Sequence, residues 1–312
     1  SKKSIAKIIL VVLFAVVAWV LQAADIYVTT TADQVPGSLR AAITAANNSS
    51  EDTVIHVPAG RYILGGTVGE DNNAGGDLDI NPAHTVTITG ANKNTTIIDG
   101  DGKDRVLDIL DGVVIISNVT VKNGITPGDT AQDVNSDPGA GINNSGNLTL
   151  VGCIISNNRT GEGAQCSSSD SPYGKNGGNG GGIANFGILS MRKCEVRDNV
   201  TGDGGDAFSH PSVHLTCGYA GDGGDGGGIY NYKTLTLIDS SIHDNQTGDS
   251  GDSGHLYGGG GIGEGGKGGG IYNSGTLRVT QCDISNNITG KGVSSGSDAA
   301  SISRIARASS AW

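Results

Sequence analysis

The sequence predicts an all-β protein, a right-handed parallel β-helix with an N-terminal capping helix and long Gly/Asp-rich loops on one edge. Three observations lead to this prediction. A segment that begins at Ile142 recurs at Ile183, Ile229 and Ile271, and repeats of this length are typical of solenoids. Apolar residues in each copy alternate within short runs, as they do on one face of a strand. Gly contributes 53 of the 312 residues and aromatic residues only 4%, which favours thin strands and many turns over a bulky core.

The four copies agree at several positions when they are aligned on these isoleucines. Asn stands two residues later, apolar residues stand six, eight and thirteen residues later, and an Asn that begins NxTG stands sixteen residues later. Within each short run the matching residues stand two apart, which predicts three short strands per copy, within GIxN, LxL and CxIxNN. Asn and Gly fill the corners because they tolerate left-handed backbone. Each copy is then one coil, and equivalent strands of stacked coils pair in parallel. A propeller is disfavoured because its blades need four strands each.

Residues 25–137 are expected to form the N-terminal cap and the first, less regular coils. The segment PGSLRAAITAANN predicts a helix with Ser38 as its N-cap. An apolar stripe on one face of the helix comprises Leu39, Ala42, Ile43 and Ala46. Such a helix would cover the first coil, whose sheet edge would otherwise invite aggregation. The segment from His84 to Gly124 has the short Val/Ile runs and polar corners of further coils.

Residues 1–24 have the pattern of a secretory signal. Three lysines precede fourteen apolar residues, Ile8 to Leu21, and LQAAD follows. Fourteen helical residues are shorter than the ~30 Å hydrocarbon core of a bilayer. We therefore expect export, with cleavage after Ala23 or Ala24. The alternative is that residues 5–24 are retained as a hydrophobic helix, which would be the chain's contact with a membrane or would assemble it into a filament.

The remaining segments follow from the repeat. Residues 138–290 form the four-copy region, and residues 291–312 are an irregular tail that lacks the pattern. The inserts between copies are rich in Gly and Asp and follow the same corner of each coil. They are therefore expected to project from one edge of the solenoid.

The N-terminal segment also resembles a known family. TTTADQVPGSLRAAITAAN, followed by DTVIHVPAGRYIL, is similar to the start of secreted bacterial right-handed β-helix proteins with a CSLREA-type motif, although GSLRAAI lacks the Cys and the Glu of that motif. The GGGIxN…ISNN copies resemble the repeats of polymorphic outer membrane proteins. The resemblance covers about residues 26–290. It implies a right-handed β-helix and export, and it implies no particular activity.

Charge restricts the function classes. The formal net charge of −11 disfavours nucleic acid and anionic lipid surfaces as partners. We expect a structural or adhesive protein of the cell surface or extracellular matrix, whose partners are copies of itself or cell-surface glycans. One alternative is a subunit of an extracellular filament. Another is a polysaccharide lyase or hydrolase, but the Arg and Lys residues form no column with Asp on alternate strand positions. We therefore predict no catalytic residue.

The inserts contain a candidate calcium site. The motifs GDGGD, GDGGD and GDSGD place carboxylates three residues apart, and calcium prefers such oxygen ligands. The six aspartates are Asp203, Asp206, Asp222, Asp225, Asp249 and Asp252. The alternative is that these are solvated acidic loops that keep the protein soluble.

Two further sets of residues are candidates for covalent modification. The sequons of the NxTG column predict glycosylation at Asn158, Asn199, Asn245 and Asn287, unless these residues form a hydrogen-bonded ladder from coil to coil. Cys166 and Cys217 lie in the inserts after the first and second copies and are the favoured disulfide pair. The inward-facing Cys153, Cys194 and Cys282 are more simply explained as small apolar residues.

Overall fold

The structure, a computed structural model, is a right-handed parallel β-helix. It describes residues 23–69, 71–128, 136–165, 173–207, 219–252 and 262–292. Strands that are far apart in sequence pair in parallel along three sheets of eight, six and seven strands. We call the eight-stranded sheet A, the seven-stranded sheet B and the six-stranded sheet C. Each regular coil contributes one strand to each sheet, in the order C, A, B. The predicted fold class is confirmed.

Sheet A is the longest sheet and begins at the N-terminal end of the solenoid. It consists, in spatial order, of β1 (Ala24–Tyr27), β2 (Thr53–Val57), β5 (Val86–Gly90), β8 (Val113–Ser117), β11 (Asn147–Val151), β14 (Ile188–Arg192), β17 (Thr234–Ile238) and β20 (Thr276–Thr280). Alternate residues of the central strands point into the core, as the sequence pattern predicts.

Sheets B and C have shorter strands. Sheet B consists of β3 (Gly60–Ile63), β6 (Thr96–Asp99), β9 (Thr120–Lys122), β12 (Ile154–Ser156), β15 (Glu195–Arg197), β18 (Ser241–His243) and β21 (Asp283–Ser285). Sheet C consists of β4 (Leu78–Ile80), β7 (Leu107–Ile109), β10 (Ile142–Asn144), β13 (Ile183–Asn185), β16 (Ile229–Asn231) and β19 (Ile271–Asn273).

The interior is a set of apolar ladders, because register is kept from coil to coil. Leu148, Leu189, Leu235 and Leu277 are successive Cα partners in sheet A. The first three of them are fully buried. The corners between sheets use left-handed backbone, for example at Asn157 and Asp198, both with φ of 55°.

A capping helix lies at the N-terminal end of the solenoid. Helix α1 (Leu39–Asn47) begins at Ser38, whose hydroxyl accepts a hydrogen bond from the Ala41 N–H. The predicted apolar stripe is buried, together with Arg40. The helix packs against β4 and β2, so it covers the first coils as expected. Within the described ranges, no helix is both long and apolar enough to cross a membrane. Of the predicted signal or retained helix, residues 1–24, the first 22 residues lie outside the described ranges, and Ala24 is the first residue of β1.

Candidate functional site

The Gly/Asp-rich inserts form ordered arms that extend the solenoid. Each insert has an outgoing arm that leaves sheet B and a return arm that leads to sheet C; in the second copy these are residues 201–207 and 219–226. The arms contain no strand, yet their backbones are hydrogen-bonded to one another. Gly224 and Gly221 donate to the Gly202 and Gly205 carbonyls at 2.9 and 2.8 Å. The sequence predicted their position correctly, but not this order.

The arms have a three-residue period. Within the outgoing arm, the amides of Thr201, Gly204 and Ala207 donate to the next coil's arm at 3.0, 2.9 and 2.8 Å. The carbonyls of Gly202 and Gly205 face the return arm instead. An extended chain with three residues per turn makes no internal hydrogen bonds, so each turn presents groups to neighbours on different sides. Glycine is required where arms meet: a Cβ at Gly202 would lie 1.8 Å from the Gly161 carbonyl oxygen.

The predicted calcium ligands Asp203 and Asp206 occupy the third residue position of each three-residue turn. Asp203 Oδ1 accepts the Asp249 N–H at 2.7 Å, and Asp206 Oδ1 accepts the Asp252 N–H at 2.8 Å. These two loops therefore lie next to each other. Asp222 and Asp225 stack in the same way on the following return arm.

This placement bears on the calcium hypothesis. Among the described residues, the one group of three acidic, His or Cys side chains with ligand atoms within 4.8 Å of one another is Asp71, Asp79 and Asp108. The six arm aspartates do not form such a group. They stand instead in columns in which a carboxylate oxygen caps a backbone N–H of the next coil. The trio near the N-terminal end of sheet C has the donor chemistry to hold a divalent cation.

A groove runs beside sheet C on the side of the return arms. Its volume is about 300 Å³. The polar residues lining it are Ser136, Asn176, Asn179, Asp222, Asp225, Glu264 and Lys267. They come from the return arms of successive copies, stacked in two columns. The first column consists of Asn176, Asp222 and Glu264. Asn176 Oδ1 accepts the Asp222 N–H at 2.8 Å, and Asp222 Oδ1 accepts the Glu264 N–H at 2.7 Å.

Aromatic side chains lie at and beside the groove. Phe186 lines the groove, and its ring centroid lies 5.9 Å from that of Tyr230. Tyr230 is followed on the next coil by Tyr272, with centroids 5.2 Å apart and planes at 2°. The tyrosines are Cα partners on β16 and β19, and both are partly exposed. Tyr230 and Tyr272 therefore form a stacked pair on two successive coils, next to Phe186 of the coil before.

The groove is acidic. It contains three carboxylates and one ammonium, a formal charge of −3 + 1 = −2, from Asp222, Asp225, Glu264 and Lys267. Glu264 forms an ion pair with Lys267. Burial raises the pKa of Asp225, and the neighbouring Asp222 and Glu264 act in the same direction, although Lys267 opposes them. Asp225 also lies close enough to Tyr230 to raise the pKa of that phenol, after the larger effect of burial and that of Tyr272.

Toward the N-terminal end, the same face of sheet C carries a buried charge network. Asp79, Asp108 and Asn143 are successive partners on β4, β7 and β10. Arg105 reaches Asp108 at 2.5 Å and Asp77 at 3.4 Å. Asp77, Asp79 and Asp108 are at most 4% exposed. Burial raises the pKa of Asp77 to about 8, against the effect of Arg105 and with that of three nearby aspartates.

Asp77 predicts a pH-dependent stability. An unfolded Asp titrates near ~3.9, so between that pH and about 8 the folded state holds a proton that the unfolded state has lost. The stabilisation is complete below the unfolded pKa and is lost progressively as the pH rises through the folded pKa. We expect Asp77→Asn, which mimics the protonated form, to raise the melting temperature at pH 8 by several degrees and to leave it nearly unchanged at pH 4.

Thermal melts across this pH range test the assignment. Asp111→Asn is the control, because Asp111 is exposed and the substitution makes the same chemical change. Parallel pH profiles for wild type and Asp77→Asn would show that Asp77 is charged in the folded protein.

The predicted glycosylation residues form a ladder inside a corner. Asn158 Nδ2 donates to Asn199 Oδ1, Asn199 to Asn245 and Asn245 to Asn287, each at 2.9 Å. All four residues are at most 6% exposed. The structure therefore shows the ladder that the sequence left open. A glycan would have to be attached to a buried nitrogen that is already bonded to the next coil.

The cysteines fall into two groups. Cys153 and Cys194 are buried free thiols within the apolar core, and Cys282 packs partly exposed against it. They behave as the small apolar residues that the sequence indicated. Cys166 and Cys217, the predicted disulfide pair, lie outside the described residues.

Sequence reasoning missed the groove and the charge network. The LDI motif occurs at residues 78–80 and again at 107–109, and this repetition was a signal that both aspartates face the same way. The tyrosines were visible as the IYN motif at residues 229–231 and 271–273. Their significance depends on the arms that stand opposite, and the sequence gives no local sign of where those lie.

The fold and the groove define a parallel β-helix repeat protein with one long polar and aromatic face. No protein-family model matches the sequence, and no curated protein is similar to it. Among solved structures, it is similar to Escherichia coli YbhC, at 10% identity and a TM-score of 0.34, over 84% of this chain and 85% of that one. It is also similar to pectin methylesterase from carrot, at 12% identity and a TM-score of 0.31, over 79% and 78% of the two chains. Likenesses this distant have no bearing on activity.

Proposed function

We propose that this chain is an exported structural or adhesive β-helix protein, and that the groove beside sheet C binds an extended glycan. The observation that carries the proposal is a groove lined by columns of polar side chains and by Phe186, with the stacked Tyr230 and Tyr272 next to Phe186. Sugar rings stack on aromatic faces, while their hydroxyl groups need hydrogen-bonding partners at the sides. A long ligand is favoured because the polar columns continue over three successive coils and the tyrosines over two.

The spacing of the repeat supports a polymer rather than a small molecule. Adjacent strands lie ~4.8 Å apart, close to the length of one pyranose residue in an extended chain. Each coil then meets one sugar residue with one or two polar side chains. The same regularity suits an adhesive role, since many weak and equivalent contacts add up along a polymer.

The enzyme alternative concerns the same ligand class. A lyase or hydrolase needs an acid and a base that reach the bound chain. The carboxylates with the most unusual environment, Asp77 and Asp108, are 4% exposed and engaged with Arg105. A bound polymer does not reach them without displacement of that network. We therefore favour binding, and we expect no new reducing ends when glycans are incubated with the protein.

Whether residues 5–24 are cleaved or retained distinguishes export with cleavage from the filament alternative. Mass spectrometry of the N-terminus of protein recovered from the producing cells distinguishes the outcomes. We expect a start near Ala24, with the protein in the surface or extracellular fraction. An intact hydrophobic segment in isolated fibres would support the filament alternative instead.

Aromatic substitutions test the glycan site. We expect Tyr230→Ala and Tyr272→Ala each to weaken binding to immobilised polysaccharides by about threefold to tenfold, the effect of one stacked aromatic contact. The matched control is Tyr219→Ala. Tyr219 is 55% exposed and stacks on Tyr173 at 5.7 Å, but it lies on an arm, whereas Tyr230 lies next to Phe186 and Asp225 of the groove. Equal losses for Tyr219→Ala and Tyr230→Ala would contradict the site.

A further inference from the structure

We propose that the C-terminal end of the solenoid is a docking surface, and that residues 301–312 of the same chain cover it. This end surface is the outer side of the last described coil, which consists of β19, β20 and β21. Each of these strands is the terminal strand of its sheet. The proposal is independent of glycan binding, because it concerns how the solenoid is closed.

The end surface exposes apolar side chains that continue the interior ladders. Val279 is 38% exposed, whereas Leu237, its Cα partner on the preceding coil, is fully buried. Leu277 and Ile284 are also only partly buried, although their partners on the preceding coil are fully buried. No described strand pairs with β20 on its outer side. Unpaired strand edges invite association, and proteins commonly cover them with a helix or a loop.

The N-terminal end shows how this chain covers an end. Helix α1 packs against β2 and β4, and Ser38 caps it. The residues of its buried apolar stripe stand one, four, five and eight residues after Ser38; they are Leu39, Ala42, Ile43 and Ala46. One capped helix of nine residues with this stripe therefore covers an end of this solenoid.

The sequence beyond the last described coil has the same arrangement. Residues 293–312 lie outside the described ranges, so the comparison is one of sequence. Ser301 is followed at the same distances of one, four, five and eight residues by Ile302, Ile305, Ala306 and Ser309. A serine followed by this spacing predicts an N-cap and an amphipathic helix.

The other residues of this segment agree with a helix that has one apolar face. With 3.6 residues per turn, Trp312 falls on the same side as Ile302 and Ile305. Arg304 and Arg307 fall on the opposite side. A helix that lays its apolar side on the end surface therefore keeps both guanidinium groups in water.

The dimensions of the segment fit the end surface. A helix over residues 301–312 is ~18 Å long, and the five-residue strand β20 is ~17 Å long. Residues 293–300 connect this helix to the last described residues and span up to ~26 Å when extended. The connection is therefore long enough for the helix to lie along β20.

The competing occupant is a second copy of the chain. Helix α1 covers the N-terminal end, so a second copy would have to dock through its own C-terminal end. A segment tethered to the surface acts at an effective concentration in the ~mM range, whereas a second copy acts only at its concentration in solution. The segment of the same chain is therefore favoured in dilute solution.

The thiol of Cys282 reports whether the end is covered. Cys282 lies on the last coil and packs partly exposed against the core, whereas Cys153 and Cys194 are buried and serve as internal references. The full chain is labelled with a maleimide without denaturant, and the labelled peptides are quantified by mass spectrometry. We expect Cys282 to react at least about tenfold more slowly than in the unfolded chain, at a rate that does not depend on protein concentration.

Substitutions in the segment identify the occupant. We expect Ile302→Asp with Ile305→Asp to accelerate labelling of Cys282 at least about tenfold, because the charges prevent the apolar side from docking. The matched control is Ser303→Asp with Ser310→Asp, which adds the same two charges outside the stripe and should label as the wild type does. Trp312→Ala is a milder variant that should accelerate labelling by about threefold or more.

Each alternative outcome overturns the proposal. Wild-type Cys282 that reacts at the unfolded rate means that the end is uncovered. Protection that increases with protein concentration, together with a dimer in sedimentation velocity, means that a second copy covers the end. Equal acceleration in the two double variants means that added charge, and not loss of docking, is the cause. If the isoleucine variant does not fold, Trp312→Ala decides, and unchanged labelling of Cys282 in it refutes the docking of this segment.

Discussion

Leu235→Asp is expected to abolish folding. Leu235 is fully buried on β17, between Leu189 and Leu277 of the adjacent coils. The substitution removes an apolar side chain from a packed ladder, which alone destabilises by about 2–5 kcal/mol. It also buries a carboxylate with no partner, which adds a further large penalty. In a solenoid each coil is stabilised by its neighbours, so both interfaces of the central coil are weakened together.

Solubility and circular dichroism measure the effect. The control is Thr236→Asp, because Thr236 is the next residue of the same strand and is partly exposed. We expect the control to be soluble with a β-rich spectrum, and Leu235→Asp to be insoluble or unfolded. Soluble Leu235→Asp protein with an unchanged spectrum would refute the assignment of this column to the interior.

Part of this architecture could be predicted from the sequence because it repeats in register. Every regular coil places apolar residues at the same offsets, so the column that contains Leu235 is visible when the four copies are aligned by their letters alone. Helix α1 was predictable for a different reason. Its N-cap, Ser38, and its apolar stripe are both local signals, and both lie where they were expected.

The rest of the architecture depends on partners that are distant in sequence. Arg40 lies on α1 and is 4% exposed, a position that helical periodicity alone would not assign to a cation. It is accommodated because it pairs with Asp33 and donates to the carbonyls of Gly75, Gly76 and Asp77. No spacing rule connects residue 40 to residues 75–77. The same holds for Arg105 and its aspartates.

The ordered packing of the arms was not predicted, because their three-residue period belongs to neither a strand nor a helix. The pair Asp203 and Asp206 was evident, with its spacing of three, and it was interpreted either as metal ligands or as part of a solvated acidic loop. The structure gives another cause for that spacing. Three residues make one turn of an extended chain, and the aspartates occupy the side that the glycines leave open. This order exists only between neighbouring arms, so no single copy contains the information.

Gly205→Ala is expected to disorder the arms while the β-helix remains folded. A Cβ on residue 205 would lie 1.9 Å from the Ala164 carbonyl oxygen and 2.5 Å from its carbonyl carbon. Both atoms belong to backbone that is held by its own hydrogen bonds, so neither can move aside without breaking them. The bonds from Gly205 N–H to Lys175 O and from Gly221 N–H to Gly205 O, each 2.8 Å, would be lost first.

Hydrogen exchange resolves the two parts of the molecule. We expect arm amides of the variant, such as that of Gly221, to lose protection by about a hundredfold or more, equivalent to ~3 kcal/mol of local stability. Amides of the sheet strands should keep theirs, because the apolar ladders are untouched. The control is Gly65→Ala, since a Cβ there meets nothing within 4 Å. Because Asp222 stands on the return arm next to Gly221, the variant should also lose glycan binding. Retained arm protection in Gly205→Ala would mean that the arms are not packed at backbone contact.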